Sequence, residues 1–220
     1  MTRRLCISLA VTAALGVAAG GQASAATPLK GTLKLSPGRL VKKQYTGTYF
    51  RMILPGATDK YFKNADSRAK DKTYTLLRPG TDGGLILGTF QRPPSPAFAG
   101  NGFALARRVT LPEKFAGIAF SISTAPVDAQ SHTATKPPAL AVTGNRVTGD
   151  FRAWTAEWNS IYFNQGAPKP NNSFPGLTRP VNGTYNKKTK RFEIVWYSQI
   201  IGGPFNRFTG YWHLQGKLVP

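Results

Sequence analysis

From Phe208 to Leu218 the chain alternates almost without fault. Phe208, Gly210, Trp212, Leu214, Gly216 and Leu218 share one parity, and Thr209, Tyr211, His213, Gln215 and Lys217 share the other. Successive strand side chains point to opposite faces, whereas a helix would scatter these apolar residues around its axis. The run therefore predicts a strand with Phe208, Trp212, Leu214 and Leu218 on a core, and it needs other strands to pair with.

The sequence supplies them as short apolar runs cut by Gly, Pro, Asn and Asp. Leu29, Leu33 and Leu35 alternate with Lys30, Thr32 and Lys34, and Tyr45 to Leu54 is a Thr-, Tyr- and Phe-rich run ended by Pro55-Gly56. Thr73–Arg78 and Leu85–Phe90, with a Gly-rich turn between, predict a hairpin. Phe115–Thr124 predicts one strand, and Ala139–Thr143, Gly144-Asn145 and the run from Arg146 predict another hairpin. Phe192, Ile194, Trp196, Ser198 and Ile200 share a face; Val195, Tyr197 and Ile201 make the opposite face partly apolar, as in a strand covered on both sides. Asn186–Lys190 tips the hairpin that joins Tyr185 to Phe192. The expectation is an all-β fold, a single antiparallel sandwich or barrel with long Pro/Gly-rich loops.

Two segments leave a choice. Phe151, Trp154, Trp158 and Tyr162 have helical spacing behind Asp150, yet the same stretch alternates as a strand; its aromatic content and all-β setting favour the strand. A short connecting helix fits within Asn64–Lys72. Pro-rich loops cover residues 92–97, 126–138 and 166–180. The third mixes amides, aromatics and prolines, which suits a rim around a ligand but reads better as a crossover between sheets.

Arg3 and Arg4, the apolar stretch Leu5–Ala19 and the small-residue pattern Ala23-Ser24-Ala25 read as a secretory leader over residues 1–25, leaving 26–220 as a single domain. The apolar run falls short of the roughly 20 residues that span a bilayer, so no transmembrane anchor is expected. Cys6 lies in the leader, and a mature chain without cysteine has neither disulfides nor cysteine-based metal or thiol chemistry. Two of the 29 Lys and Arg residues also lie there, which leaves 27 against 9 acids, a net charge of +18. A field of that sign draws polyanions. For a protein secreted to the extracellular space or the cell wall these are anionic polysaccharide, cell-wall polymer, anionic lipid and released nucleic acid, and no specific nucleic-acid motif is present.

The catalytic classes find little support. No G-x-S-x-G occurs, and the two histidines are His132, in a loop, and His213, at an outward position of the last strand. Glu157, between Trp154 and Trp158, is the one acid in an aromatic setting, although a polar residue on the outer face of a strand explains it as well. Glu157 and His213 are thus the weak catalytic candidates. No ligand spacing for a metal and no phosphate-cradling Gly loop is present, so neither a metal nor a cofactor is expected. Aromatic binding is the class left. Trp196 and Trp212 belong to the core by parity, whereas Tyr197 and Tyr211 share outward parity and, with Trp158, are the candidate ligand-binding residues.

Gly202-Gly203-Pro204-Phe205-Asn206-Arg207-Phe208-Thr209-Gly210-Tyr211-Trp212-His213-Leu214-Gln215-Gly216 resembles the C-terminal motif of exported bacterial β-rich proteins of no assigned function. The stretches Thr73–Leu77 and Pro79–Gly84, and Trp158-Asn159 with Phe163–Gly166, are similar to the same group. The resemblance implies secretion and a β-rich domain, and implies no activity. The strand pattern is also similar to that of exported haem-binding β-domains, whose Tyr and His ligands would correspond here to His213 and a nearby tyrosine. The functional expectation is a secreted, non-catalytic binding module for an anionic envelope polymer or glycan. The alternatives are a secreted hydrolase acting on envelope polysaccharide, with Glu157 or His213 as acid–base groups, and a structural wall or coat component.

Overall fold

The computed structural model describes residues 25–220, so the leader expected over residues 1–25 lies, apart from Ala25, outside the described residues. Among them there is no helix. The strands are β1 (Thr27–Pro28), β2 (Thr32–Leu35), β3 (Arg39–Val41), β4 (Gln44–Thr46), β5 (Tyr49–Ile53), β6 (Thr75–Leu76), β7 (Gly84–Ile86) and β8 (Glu113–Phe115). They continue as β9 (Ile118–Thr124), β10 (Ala139–Thr143), β11 (Arg146–Asp150), β12 (Trp154–Trp158), β13 (Ile161–Asn164), β14 (Arg179–Tyr185), β15 (Arg191–Gln199) and β16 (Thr209–Val219).

The period-two run that dominates the sequence becomes β16, the strand with most partners. On one side it pairs with β15 at nine successive positions, from Arg191↔Lys217 to Gln199↔Thr209. Its other side is shared: Gly216–Val219 pair with β2 and Thr209–His213 pair with β5. Between those partners the chain leaves as the β3–β4 hairpin, turning on Lys42 and Lys43 at φ 46° and 67°. Gln215 bridges the gap, its carbonyl accepting from Ser36 N–H at 2.7 Å and its side-chain oxygen from Gly47 N–H at 2.8 Å. The large antiparallel sheet runs β1-β10-β11-β14-β15-β16-β2-β7, with β5 and β6 attached beside the first half of β16. It curls into a half-barrel, and a four-stranded sheet, β13-β12-β9-β8, packs on its inner face.

The core between the sheets is aromatic. Trp196 and Trp212 are direct cross-strand partners, and Trp154 meets them edge-on with ring centroids 5.1 and 5.4 Å away. All three are fully buried. The inward parity read for β15 and β16 is therefore the observed one. So is the crossover, since residues 166–178 lead from β13 in the small sheet to β14 in the large one.

Several local expectations give way. Residues 151–162 are neither a helix nor one strand: Asn159 and Ser160, at φ 50° and 60°, make the two-residue turn of the β12–β13 hairpin. Ala116 and Gly117, at φ 47° and 81°, likewise fold Phe115–Thr124 into the β8–β9 hairpin. The runs around β6 and β7 do not pair with each other; β6 joins β5, and β7 extends the edge of β2. No helix forms over 64–72, because buried Asn64 donates to Thr75 Oγ1 and to the Lys114 carbonyl and holds the segment as turns. Thr209 and His213, outward by parity, are buried, as is Glu157. Parity gives a side chain its side of the sheet, but other segments decide whether that side is covered.

The β2–β16 pairing leaves no room at Gly216, where a Cβ would lie 1.9 Å from the Lys34 carbonyl oxygen. Gly216→Ala is expected to destabilise the protein by ~2 kcal/mol or more. Gly100→Ala, where a Cβ meets nothing within 4 Å, should change little. Urea unfolding of the two variants measures the contrast.

Candidate functional site

The outward parity of β15 and β16 places Tyr197 directly opposite Tyr211, with ring centroids 5.0 Å apart and tilted by 48°. The row continues across the sheet in both directions, because Arg179 of β14 pairs with Tyr197 and Arg51 of β5 pairs with Tyr211. Cross-strand partners project from the same face, so four adjacent strands present Arg, Tyr, Tyr and Arg in line, about 14 Å from end to end at normal strand spacing.

Both ends are held by neighbours other than acids. The Arg51 guanidinium carbon lies 3.3 Å from the ring centre of Tyr61 and 4.1 Å from that of Tyr74. Arg51 Nη2 donates to Thr73 Oγ1 at 3.0 Å, while its buried Nε has no partner. Arg179 Nη1 donates to the carbonyls of Gly176 and Thr178. The arginine–carboxylate bridges among the described residues belong to Arg68, Arg78, Arg108 and Arg152, so the row keeps its charge unneutralised. Burial raises the Tyr197 and Tyr211 phenols above their ordinary range and keeps them as neutral hydroxyls. Tyr61, Arg51 and Arg179 carried little sign of this in the sequence; the one hint is that Arg51 is the lone charge within a buried run.

His213 lies on the same face but under cover. Its ring stacks on Tyr49 at 4.4 Å, and Tyr74, itself stacked on Tyr45 of β4, closes over Tyr49. Nδ1 is 2.7 Å from the Gly47 carbonyl and Nε2 is 2.9 Å from Glu193 Oε1. Buried, and with a protein oxygen within hydrogen-bond distance of each ring nitrogen, His213 leaves neither nitrogen open to a substrate or an iron.

Glu157 is enclosed as well, on the polar face of the small sheet turned away from the tryptophans. Ser123 Oγ donates to its Oε1, and Oε2 has no partner. Tyr162, its cross-strand neighbour, packs against Phe98 of the loop that covers this face. Burial pushes the carboxyl up to about 7, against the pull of the Ser123 hydrogen bond. It is an acid with a shifted pKa, but fully buried, with no path to a substrate. Trp158 is on the opposite side of β12 from Glu157, between the sheets. Its Nε1 donates to the Phe115 carbonyl at 2.7 Å and its ring lies against Phe205, at an apolar cavity of about 40 Å³ that holds little more than one water. The structure thus unites Tyr197 with Tyr211 and puts Trp158 elsewhere.

One buried group carried no sequence signal. Lys169, on the crossover, is 2 % exposed, and its Nζ donates to the Asn164 carbonyl at 2.6 Å and to Ser198 Oγ at 2.8 Å. Burial brings its amine down to about 7, opposed by the carboxylate of Asp128. The Ser–Lys contact has the parts of a nucleophile and its base, but Ser198 is fully buried and donates to the Gly166 carbonyl at 2.8 Å. Its evident work is to fasten the crossover to β15. No known protein family, curated protein or solved structure matches the chain.

The two shifted groups act on stability in opposite senses. Glu157 keeps a proton when folded that it loses when unfolded, so stability falls as pH rises from about 4.5 to about 7, by on the order of 3 kcal/mol. Lys169 holds fewer protons folded than unfolded between about 7 and 10.5, so stability rises again over that window. Unfolding free energy measured against pH should therefore dip near pH 7. Glu157→Gln is expected to remove the acid-side fall and Lys169→Met the alkaline rise.

Proposed function

We propose that the protein is a non-catalytic binding module for an anionic polymer or glycan of the cell envelope, and that the Arg179–Tyr197–Tyr211–Arg51 row is its contact surface. The observation that carries this reading is the row itself: two arginines without carboxylate partners flank two half-buried phenols in line across the sheet. The Tyr61 and Tyr74 rings fix Arg51 before any ligand arrives, so little side-chain freedom is lost on binding. The phenol hydroxyls add donors that carboxylates, sulfates and sugar oxygens accept. A formal charge of +20 over the whole chain supplies the long-range attraction. A hydrolase has less support, since Glu157 and His213 are both buried and bonded.

Retention of the purified protein on immobilised polygalacturonate, DNA and neutral dextran, at low salt and at ~0.15 M salt, tests the proposal. Retention on polygalacturonate should survive the higher salt, and Arg51→Ala or Tyr197→Ala should weaken it ~tenfold or more. Lys187→Ala with Lys188→Ala, at the β14–β15 tip, should have little effect. Equal losses from the two sets of variants would make the attraction generic, and no retention on any polymer would favour a structural coat role.

A further inference from the structure

The β3–β4 hairpin leaves the large sheet between β2 and β5 and forms a two-stranded ribbon of its own. Its base is fixed. Gly38 N–H donates to the Leu77 carbonyl at 2.9 Å, and Gly47 N–H donates to Gln215 Oε1 at 2.8 Å. Tyr45 braces the stem, its ring stacked on Tyr74 at 4.0 Å and its hydroxyl accepting from Asp71 N–H at 2.8 Å. Beyond that brace the ribbon is uncovered, and every residue from Arg39 to Gln44 is exposed.

The tip combines two features that a plain polar turn lacks. Leu40 and Val41 are 48 % and 39 % exposed, the first on the face of its cross-strand partner Tyr45 and the second on the opposite face, so aliphatic side chains show on both sides of the ribbon. Lys42 and Lys43 both sit at positive φ, 46° and 67°, where a two-residue hairpin turn favours Asn-Gly. Side chains kept in that region against their backbone preference point to a use for what they carry. Arg39, Lys42 and Lys43 take no part in the ion pairs among the described residues. Asp71, the acid that the brace brings near, has its Oδ1 on Thr73 N–H.

Lysines that only guard an open strand edge need no exposed aliphatic neighbours. A hydrated anionic polysaccharide presents acids and hydroxyls but no continuous apolar phase. A bilayer surface presents both partners, negative headgroups for the cations and hydrocarbon just below them for the aliphatic side chains. Three residues at normal strand rise reach about 10 Å, the depth to which interfacial elements enter that boundary.

We infer that the β3–β4 tip docks on an anionic phospholipid surface, with Leu40 and Val41 entering the interface and Arg39, Lys42 and Lys43 among the headgroup phosphates. The inference goes beyond the binding-module reading and does not depend on it, because the tip shares no residue with the charged row. The hairpin is formed and braced beforehand, so docking orders little chain. Each cation near such a surface raises affinity about fivefold, and three together contribute roughly a hundredfold.

Flotation of the purified protein with vesicles of phosphatidylcholine, alone or with phosphatidylglycerol at ~3:1, in ~0.15 M salt, tests it. The protein should float with the mixed vesicles only. Lys42→Asn with Lys43→Gly removes two charges and supplies the pair that the turn prefers, so this variant should fold as well and bind ~25-fold more weakly. Leu40→Asn with Val41→Thr should weaken flotation ~tenfold and leave retention on polygalacturonate unchanged. Leu40→Trp should add an emission that moves to the blue with the mixed vesicles and is quenched by brominated acyl chains, which attraction to headgroups alone would not produce. No flotation with the mixed vesicles would overturn the inference. So would full flotation of the Leu40→Asn, Val41→Thr protein, or flotation lost with Tyr197→Ala and kept by the tip variants.

Discussion

Trp196 and Trp212 bury their rings completely, and each indole N–H must find an acceptor in a core built almost wholly of carbon. One residue serves both. Trp196 Nε1 donates to the Gln165 carbonyl at 2.8 Å, and Trp212 Nε1 to the Gln165 side-chain oxygen at 3.3 Å. Gln165 directly follows β13 and is itself fully buried, so it ties the small sheet to the two central strands of the large one. The crossover starts at the next residue. Its fastening to β15 through Lys169 and Ser198 follows from where Gln165 is held.

What was legible in the sequence was mostly local. The alternation in 192–200 and 208–218 identified the strands and their inward faces, because parity is a property of the strand itself. Turns built from residues at positive φ other than glycine were not legible: Asn159-Ser160 reverses the chain within what reads as one aromatic run. Pairing partners were also hidden where they are remote. The neighbour of β7 is β2, some fifty residues back, and nothing in the Gly-rich turn between Arg78 and Leu85 announces that.

The same division applies to the site. Tyr197 and Tyr211 could be found by parity, since both belong to strands whose other faces are unmistakably core. Their flanking arginines come from β5 and β14, which meet these strands only through tertiary pairing, and a charged residue alone in an apolar run is a faint signal. Glu157 and His213 misled for a related reason. Each has the parity of a solvent-facing residue, and in each case a distant segment lies over it: the loop carrying Phe98 over Glu157's face, the tyrosines at 45 and 74 over Tyr49 and His213. Burial of a polar residue by a loop leaves no periodic mark.

The double partnership of β16 bears on the order in which the fold can be made. Residues 32–53 meet their longest sheet partner only in residues 209–219, more than 150 residues further on; until then β2 has only β7, and β5 only β6, to pair with. Contacts so distant in sequence close slowly, and β2 and β5 remain open edges in the interim. The topology thus leaves the large sheet incomplete until the last strand of the chain takes its place between β15 and the pair β2 and β5.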